Sequence, residues 1–257
     1  MANKSELEYV QFKGIKIDNV RLGDIIEIIK SNIHKKGYVC VNDVRSVMIA
    51  IKDKRSFNAI NGSLLSIADG TPLAWYVRLL GCKRIERVAG FEIMANLLEN
   101  NDGLKHYLLG DTEQTIRRVI DKARKANKNL QITGHSPPFR NQFSEIENEI
   151  ICEKINSEGP DIVWVSFGGG KQDRWMHQNI SKLRRGVLIG VGAAFRYYVG
   201  DLYIPPKVVQ KLGMQWVFRL MRHPASIPEN IHYRSVFIFY LLFEVLRAKM
   251  KFHKERL

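Results

Sequence analysis

The chain reads as an α/β protein with a mostly parallel sheet, and three observations predict this. Short apolar runs of strand character alternate with stretches of helical periodicity from about Val10 to Val191. Several of those runs stop at Asn42, Asp69, Gly110 or Gly168, immediately before the next helix. After Gly200 the rhythm breaks at Pro205–Pro206 and a different, basic and aromatic segment follows.

The elements follow in order. Val10–Asp18 reads as a strand and Tyr38–Asn42 as the next. Between them Leu22, Ile25, Ile26 and Ile29 sit at helical spacing. Asn42 and Asp43 end the second strand and can cap a helix through Val47, Met48 and Ile51. Leu64–Ala68 is a short strand stopped by Asp69–Gly70, and Thr71–Pro72 start a helix through Trp75, Val77 and Leu79. Gly81–Arg87 is a basic loop, and Phe91–Leu98 is helical. His106–Leu109 is a strand ending at Gly110. Asp111 with Gln114 resembles a capping box for a helix whose face is Ile116, Val119, Ile120 and Ala123.

Leu130–Thr133 is a further strand. The two prolines of Gly134–Arg140 exclude that loop from regular structure, and Ile146–Ile155 is helical. The organising stretch is Ile162–Trp175: a buried strand, a turn of three glycines, then Lys171 and Gln172 opening a helix. Val187–Val191 is the last strand. Ligands of such sheets sit beyond the carboxyl ends of the strands, where Asn42, Asp69, Gly110 and Gly168 all fall. Two short helical pieces are expected at Val208–Leu212 and Met214–Met221.

Composition narrows the function. The 257 residues carry 40 Lys and Arg against 26 Asp and Glu, a net charge of +14, which draws a chain to polyanions such as nucleic acid, an anionic membrane face or phosphorylated substrates. Cys40, Cys82 and Cys152 are scattered and lack CxxC spacing, which points to a reducing compartment and no structural metal. The N-terminal residues have no apolar core and do not read as a signal peptide. No run approaches the roughly 18 apolar residues needed to span a bilayer. The last 23 residues are apolar and aromatic first and basic afterwards. They fit either a helix docked on the core with a solvated tail or a helix lying on an anionic membrane surface.

Gly168, Gly169 and Gly170 allow a ligand to approach the backbone, the following helix offers unpaired N–H groups, and Lys171 adds a charge. This suits a diphosphate, although a closely packed strand-to-helix turn would look the same. It is neither a Walker A loop nor a GxGxxG fingerprint. Asp69 is a general base or a helix cap. Arg87 clamps a phosphate or pairs with Glu86 or Glu92, and Gln172 binds a base or sugar hydroxyls or caps its helix. His106, His135 and His223 lack metal-ligand spacing. A nucleic-acid-binding module would need an interleaved basic and aromatic motif that is not found, and an oxidoreductase lacks its glycine fingerprint.

The ordered segments ADGTPLAW, ERVAGFE, YLLGD, GPDIVWVSFGGGKQDRW, GVGAAFRYYVG and LGMQWVFRLMRHP resemble the WecG/TagA/CpsF glycosyltransferases from about Val39 to Pro224. The resemblance implies a Rossmann-like sheet flanked by helices over residues 1–200 and a membrane-docking helical appendage over residues 201–257. It implies an inverting enzyme with no metal and no cofactor, which moves N-acetylmannosamine or a related hexose. The donor would be a UDP-sugar and the acceptor a polyprenyl-diphosphate-linked sugar, at the inner face of the bacterial cell membrane. A homo-oligomer stays open and no nucleic-acid partner is expected; a catalytically inactive relative is the alternative.

By position the resemblance makes Asp69 the base. It places Asn42, Arg87, Gly170, Lys171, Gln172 and Arg219 among the substrate-binding groups; Gly110, Gly168 and Gly169 join them by their place at the strand ends, and Arg222 by its charge. Departures from the family pattern occur at Cys40, at Phe91–Glu92 in place of Thr–Asp, at Gly170 in place of Pro and at Arg196 in place of Asp. Ala225 and Ser226 replace the arginines of the usual diphosphate clamp, for which Arg222, Lys207 and Lys211 are substitutes by charge.

Overall fold

The computed structural model describes residues 8–100, 103–206, 209 and 232–243. The chain begins with an antiparallel hairpin, β1 (Tyr9–Phe12) and β2 (Ile15–Asp18). The sequence suggested one strand here. Lys13 and Gly14 at φ 50° and 82° split it, because positive φ at both loop residues is what a two-residue hairpin turn requires.

The remaining strands among the described residues are β3 (Lys36–Asn42), β4 (Leu65–Ala68), β5 (Lys105–Gly110), β6 (Gln131–His135), β7 (Ile162–Ser166) and β8 (Gly186–Gly190). They form one parallel sheet in the order β4-β3-β8-β7-β5-β6. The helices are α1 (Leu22–Asn32), α2 (Val44–Lys52), α3 (Lys54–Asn61), α4 (Thr71–Leu79), α5 (Gly90–Glu99), α6 (Glu113–Ala126), α7 (Glu145–Glu158), α8 (Gly169–Asn179) and α9 (Ala194–Val199).

Helices cover both faces, so the strands are apolar on both sides. Val163 and Val165 of β7 join Tyr38, Cys40, Met48, Ile60, Leu73, Ile155 and Trp175 in one core, under α2, α3, α4, α7 and α8. Ile162 and Trp164 point the other way and join Ile25, Ile93, Ile116 and Phe195, under α1, α5, α6 and α9. This period of two is the pleat of the strand. Trp164 is fully buried, and truncating it to Ala would cost about 3–5 kcal/mol.

β4 is an edge strand, and the hairpin covers it through side chains. Asp18 Oδ2 accepts from Ser66 N at 2.7 Å, and Ser66 Oγ donates to Lys16 O. This shields an edge that would otherwise invite another chain.

Several elements and boundaries differ from the sequence reading. α3 carries few apolar side chains and was absent from it; Asp53 starts that helix by accepting from Arg55 N and Ser56 N. Gly134 and His135 belong to β6, so only the remainder of the proline loop is irregular. Thr112 rather than Asp111 caps α6, accepting from Thr115 N at 3.1 Å. Residues 232–243 are helical and bury Phe237 against Phe12, with ring centroids 4.9 Å apart. No described helix is long and apolar enough to cross a membrane.

Candidate active site

The carboxyl ends of the parallel strands make one rim, and the expected residues lie along it in strand order. Asp69 follows β4 and Asn42 ends β3. Gly192, which lies against Gln172, follows β8. The glycine turn follows β7, and Gly110 ends β5.

At the β4 end, the Asp69 backbone N–H donates to Asn42 O at 2.9 Å, which ties the two strand ends together. Gly70, not Asp69, is the N-cap of α4. The Asp69 carboxylate faces Arg87, whose Nη1 lies 3.7 Å from Asp69 Oδ1 and whose Nη2 lies 2.7 Å from Glu92 Oε1. Arg87 arrives there because Val88 N donates to Ala68 O at 3.0 Å, which lays the loop along β4. Of the two readings of Arg87, the pairing with Glu92 is present, and it coexists with an approach to Asp69.

At the other end, Gly168 takes φ 77° and Gly169 φ 46°, and a Cβ on either would meet nothing within 4 Å. The backbone at this turn is therefore open to a ligand. Gly170 differs: it already lies inside α8, where a Cβ would meet Ser56 Oγ at 3.3 Å. The helix starts two residues earlier than the sequence suggested, at Gly169, so Lys171 is inside its first turn.

The turn borders a cavity of about 540 Å³ whose lining includes Gly110, Asp111, Ser136, Phe139, Gly168, Lys171 and Arg196. Lys171 Nζ donates to Arg140 O. It also stands 5.3, 5.0 and 5.4 Å from the rings of Phe139, Phe143 and Phe167. Burial lowers its pKa below the usual lysine value. Lys171 thus fastens the proline loop to α8 at the cavity wall.

Opposite stands Arg196, gripped by Asp111 through Nε at 2.9 Å and Nη2 at 3.2 Å. Asp111 is held at φ 55°, a left-handed conformation costly for a residue with a side chain. From the sequence Asp111 reads as a helix cap, and Ser136 and Phe139 only as members of a proline loop; none of the three reads as a site residue. Phe139 is 92% exposed, and an exposed aromatic on a proline loop is the signal that could have marked this wall. Asp69 does not line this cavity. It lies three strand positions away on the same rim, about 14 Å at a strand spacing of about 4.8 Å.

Asn42 and Gln172 fill the interval. Gln172 is buried and its Oε1 accepts from Gly192 N at 3.0 Å. Asn42 is buried and donates to Ser66 Oγ at 3.0 Å, while its Oδ1 has no hydrogen-bond partner among the described residues. An orphaned buried acceptor is costly unless a ligand donor meets it. Behind Gln172, Asp173 is buried against Cys40, and burial pushes its carboxyl up to about 7. Arg219, Arg222, Lys207, Lys211, Ala225 and Ser226 lie outside the described residues. Among the described residues, no group of three or more His, Cys, Asp and Glu side chains converges to hold a metal ion.

A parallel α/β sheet with a carboxylate and an open glycine turn on one rim suits group transfer from a bound nucleotide. The family comparison makes the class specific: the glycosyl transferase WecG/TagA/CpsF family model matches residues 10–254, and the chain belongs to that family. It is similar to a Bacillus subtilis (strain 168) protein named N-acetylglucosaminyldiphosphoundecaprenol N-acetyl-beta-D-mannosaminyltransferase. The two are 25% identical over 177 residues, which cover 68% of this chain and 67% of that protein. Staphylococcus aureus proteins of the same name, from strains MW2 and NCTC 8325 / PS 47, are 22% identical over 259 residues, covering 98% of each chain.

Proposed function

We propose that the chain transfers N-acetylmannosamine or a related hexose from a UDP-sugar to a polyprenyl-diphosphate-linked sugar. It does so with inversion and without a metal ion, in bacterial surface polysaccharide synthesis. The observation that carries this reading is the order of groups on the rim: an open turn and cavity at one end, Gln172 and the orphaned Asn42 acceptor between, and Asp69 at the other. A nucleoside, two phosphates and a sugar laid end to end can bridge that span.

The nucleoside occupies the cavity against Phe139 and the proline loop. The diphosphate lies at the open turn, where the first N–H groups of α8 and its positive helix end favour the charge that grows on the leaving UDP. Asn42 and Gln172 meet the sugar. The acceptor hydroxyl oxygen attacks the anomeric carbon, its proton passes to the Asp69 carboxylate, and the bond to the UDP oxygen breaks. One displacement inverts the centre.

The acceptor is lipid-linked, and residues 201–257 serve as the appendage that brings the rim to the inner membrane face. Supporting this, the helical segment at 232–243 turns Ile238, Phe239, Leu242 and Phe243 outward, and Lys13 Nζ sits 5.2 Å from the Phe243 ring. Apolar side chains beside basic ones suit an anionic lipid surface. The test is a screen of UDP-sugars with a synthetic prenyl-diphosphate acceptor, read by product mass. A product heavier than the acceptor by one sugar is expected; no product with any UDP-sugar rejects the reading.

A further inference from the structure

Two large apolar side chains of α4 face solvent, although the rest of that helix is committed to the core. Trp75 is 46% exposed and Leu79 62%, while Leu73, Tyr76 and Val77 are buried. Trp75 and Leu79 are four residues apart, so they stand one above the other on a single outward face. Exposed cations accompany this face: Arg78 precedes Leu79, and Lys83 and Arg84 follow on the next loop, against one exposed acid there, Glu86. Arg78 Nη2 donates to Ile85 O at 2.9 Å, which folds that loop back on α4. Arg84 is answered by Asp24 at 3.0 Å, so Arg78 and Lys83 carry the surplus charge.

The same side of the molecule holds the helical segment at 232–243. Phe12 of β1 joins the two: its ring centroid lies 5.0 Å from that of Tyr76 on α4 and 4.9 Å from that of Phe237. Tyr76 also donates to Gln11 O at 2.9 Å. Both helices thus pack on the hairpin that covers the β4 edge, and each keeps large apolar side chains in solvent.

We propose that α4 is a second lipid-contacting element. Trp75 and Leu79 enter the interfacial layer of an anionic membrane, Arg78 and Lys83 meet its head groups, and the molecule lies edge-on with β4 nearest the lipid. This inference rests on the membrane reading of residues 232–243. The Trp ring favours the membrane–water boundary, and cations beside apolar side chains suit anionic head groups. The edge-on pose also accounts for the order of groups on the rim. β4 is the edge strand, so Asp69 at its end stands nearest the lipid that carries the acceptor. The cavity beside Gly110 and Gly168 lies farther out in the water from which a UDP-sugar arrives. Thr71, the first residue of α4, follows Asp69 by two residues, and Trp75 stands about 6 Å along the helix from it. A sugar held by a diphosphate on a lipid at that level reaches Asp69 without leaving the membrane.

The test uses the full chain and vesicles of equal parts phosphatidylglycerol and phosphatidylcholine. Lipids brominated on their acyl chains quench a tryptophan that touches them, and Trp164 and Trp175 are buried out of their reach. Trp75→Phe is expected to bind the vesicles like the parent and to lose quenching. Trp75→Ser with Leu79→Ser is expected to bind at least tenfold more weakly. Transfer to a long-chain acceptor in the vesicles falls with it, while a short, water-soluble acceptor keeps the parental kcat, which also shows that the fold is kept. Equal quenching in the parent and Trp75→Phe overturns the proposal, and so does unchanged vesicle binding of the double Ser variant. A dimer in sedimentation equilibrium that the double Ser variant dissociates overturns it too, because a second copy then covers this face. In each of those cases weaker vesicle binding by Phe239→Ser with Leu242→Ser leaves the reading of 232–243 standing. A parent that does not sediment with these vesicles removes both.

Discussion

Asp111 grips Arg196 at two points across the cavity wall, Oδ2 to Nε at 2.9 Å and Oδ1 to Nη2 at 3.2 Å. The carboxylate is almost wholly buried while the arginine is half exposed, so the pair fixes one edge of the guanidinium and leaves the other to the cavity mouth. The family resemblance puts an aspartate where Arg196 stands, and the charge reversal is thus answered by a carboxylate from the end of β5.

Removing that carboxylate separates backbone from charge. Asn tolerates the left-handed φ of residue 111, so Asp111→Asn is expected to cost about 0.5 kcal/mol, the scale of a part-exposed ion pair. Asp111→Ala is expected to cost about 1–2 kcal/mol, because strain is added. Urea unfolding measures both. Calorimetric titration with UDP is expected to show roughly tenfold weaker binding for either variant, since Arg196 is no longer aimed.

Asp69→Asn keeps the shape of the β4 end but cannot take a proton. A fall in kcat of about 10²–10⁴ is expected, with KM for the donor little changed and the melting temperature within a few degrees of the parent. Initial rates with the prenyl-diphosphate acceptor decide it, and turnover near that of the parent would rule Asp69 out as the base.

Asp173 sets a pH dependence of stability. It faces Cys40, Asp43 and Arg174, and burial raises its carboxyl to about 7. Between the unfolded value near 3.8 and about 7, the folded protein holds a proton that the unfolded chain releases. Stability from this group is therefore complete below about pH 4 and is lost as pH rises toward 7. The loss is on the order of 4 kcal/mol. Asp173→Asn removes this slope. At pH 8 the variant is expected to melt roughly 8–16 °C above the parent, with the difference shrinking toward pH 4, as read by calorimetry across that range. Parallel curves for the two proteins would contradict the assignment.

The exposed face at 238–243 is expected to govern lipid binding. Phe239→Ser with Leu242→Ser removes two outward apolar side chains without touching the buried Phe237. Sedimentation with phosphatidylglycerol vesicles is expected to show at least tenfold weaker binding. Transfer to a long-chain acceptor is expected to fall with it, while transfer to a short, water-soluble acceptor is retained.

The fold was legible because its signal is local. Buried parallel strands read as apolar runs, and glycine, aspartate and asparagine mark their ends. β3, β4, β5, β7 and β8 fall where the runs of Val, Ile, Leu and Tyr placed them, to within a residue or two. α3 was not legible, because Lys54, Arg55 and Ser56 dilute its apolar stripe and its support comes from Asp53 and Arg174. The hairpin turn at Lys13–Gly14 was read through as one strand: Gly14 is a residue signal for it, while Lys13 at φ 50° gives none.

The site divides the same way. The sequence alone settled the parallel α/β frame and the set of groups at the strand ends, since side-chain type and strand period are properties of short segments. It carried no information on order across the sheet, because parallel neighbours are joined by long crossovers. Only tertiary structure set β3 and β8 between Asp69 and the glycine turn, folded Asp111 under Arg196 from 85 residues away, and put Lys171 among three phenylalanines. Those contacts depend on which surfaces the closing core brings together, and no stretch of chain records that on its own.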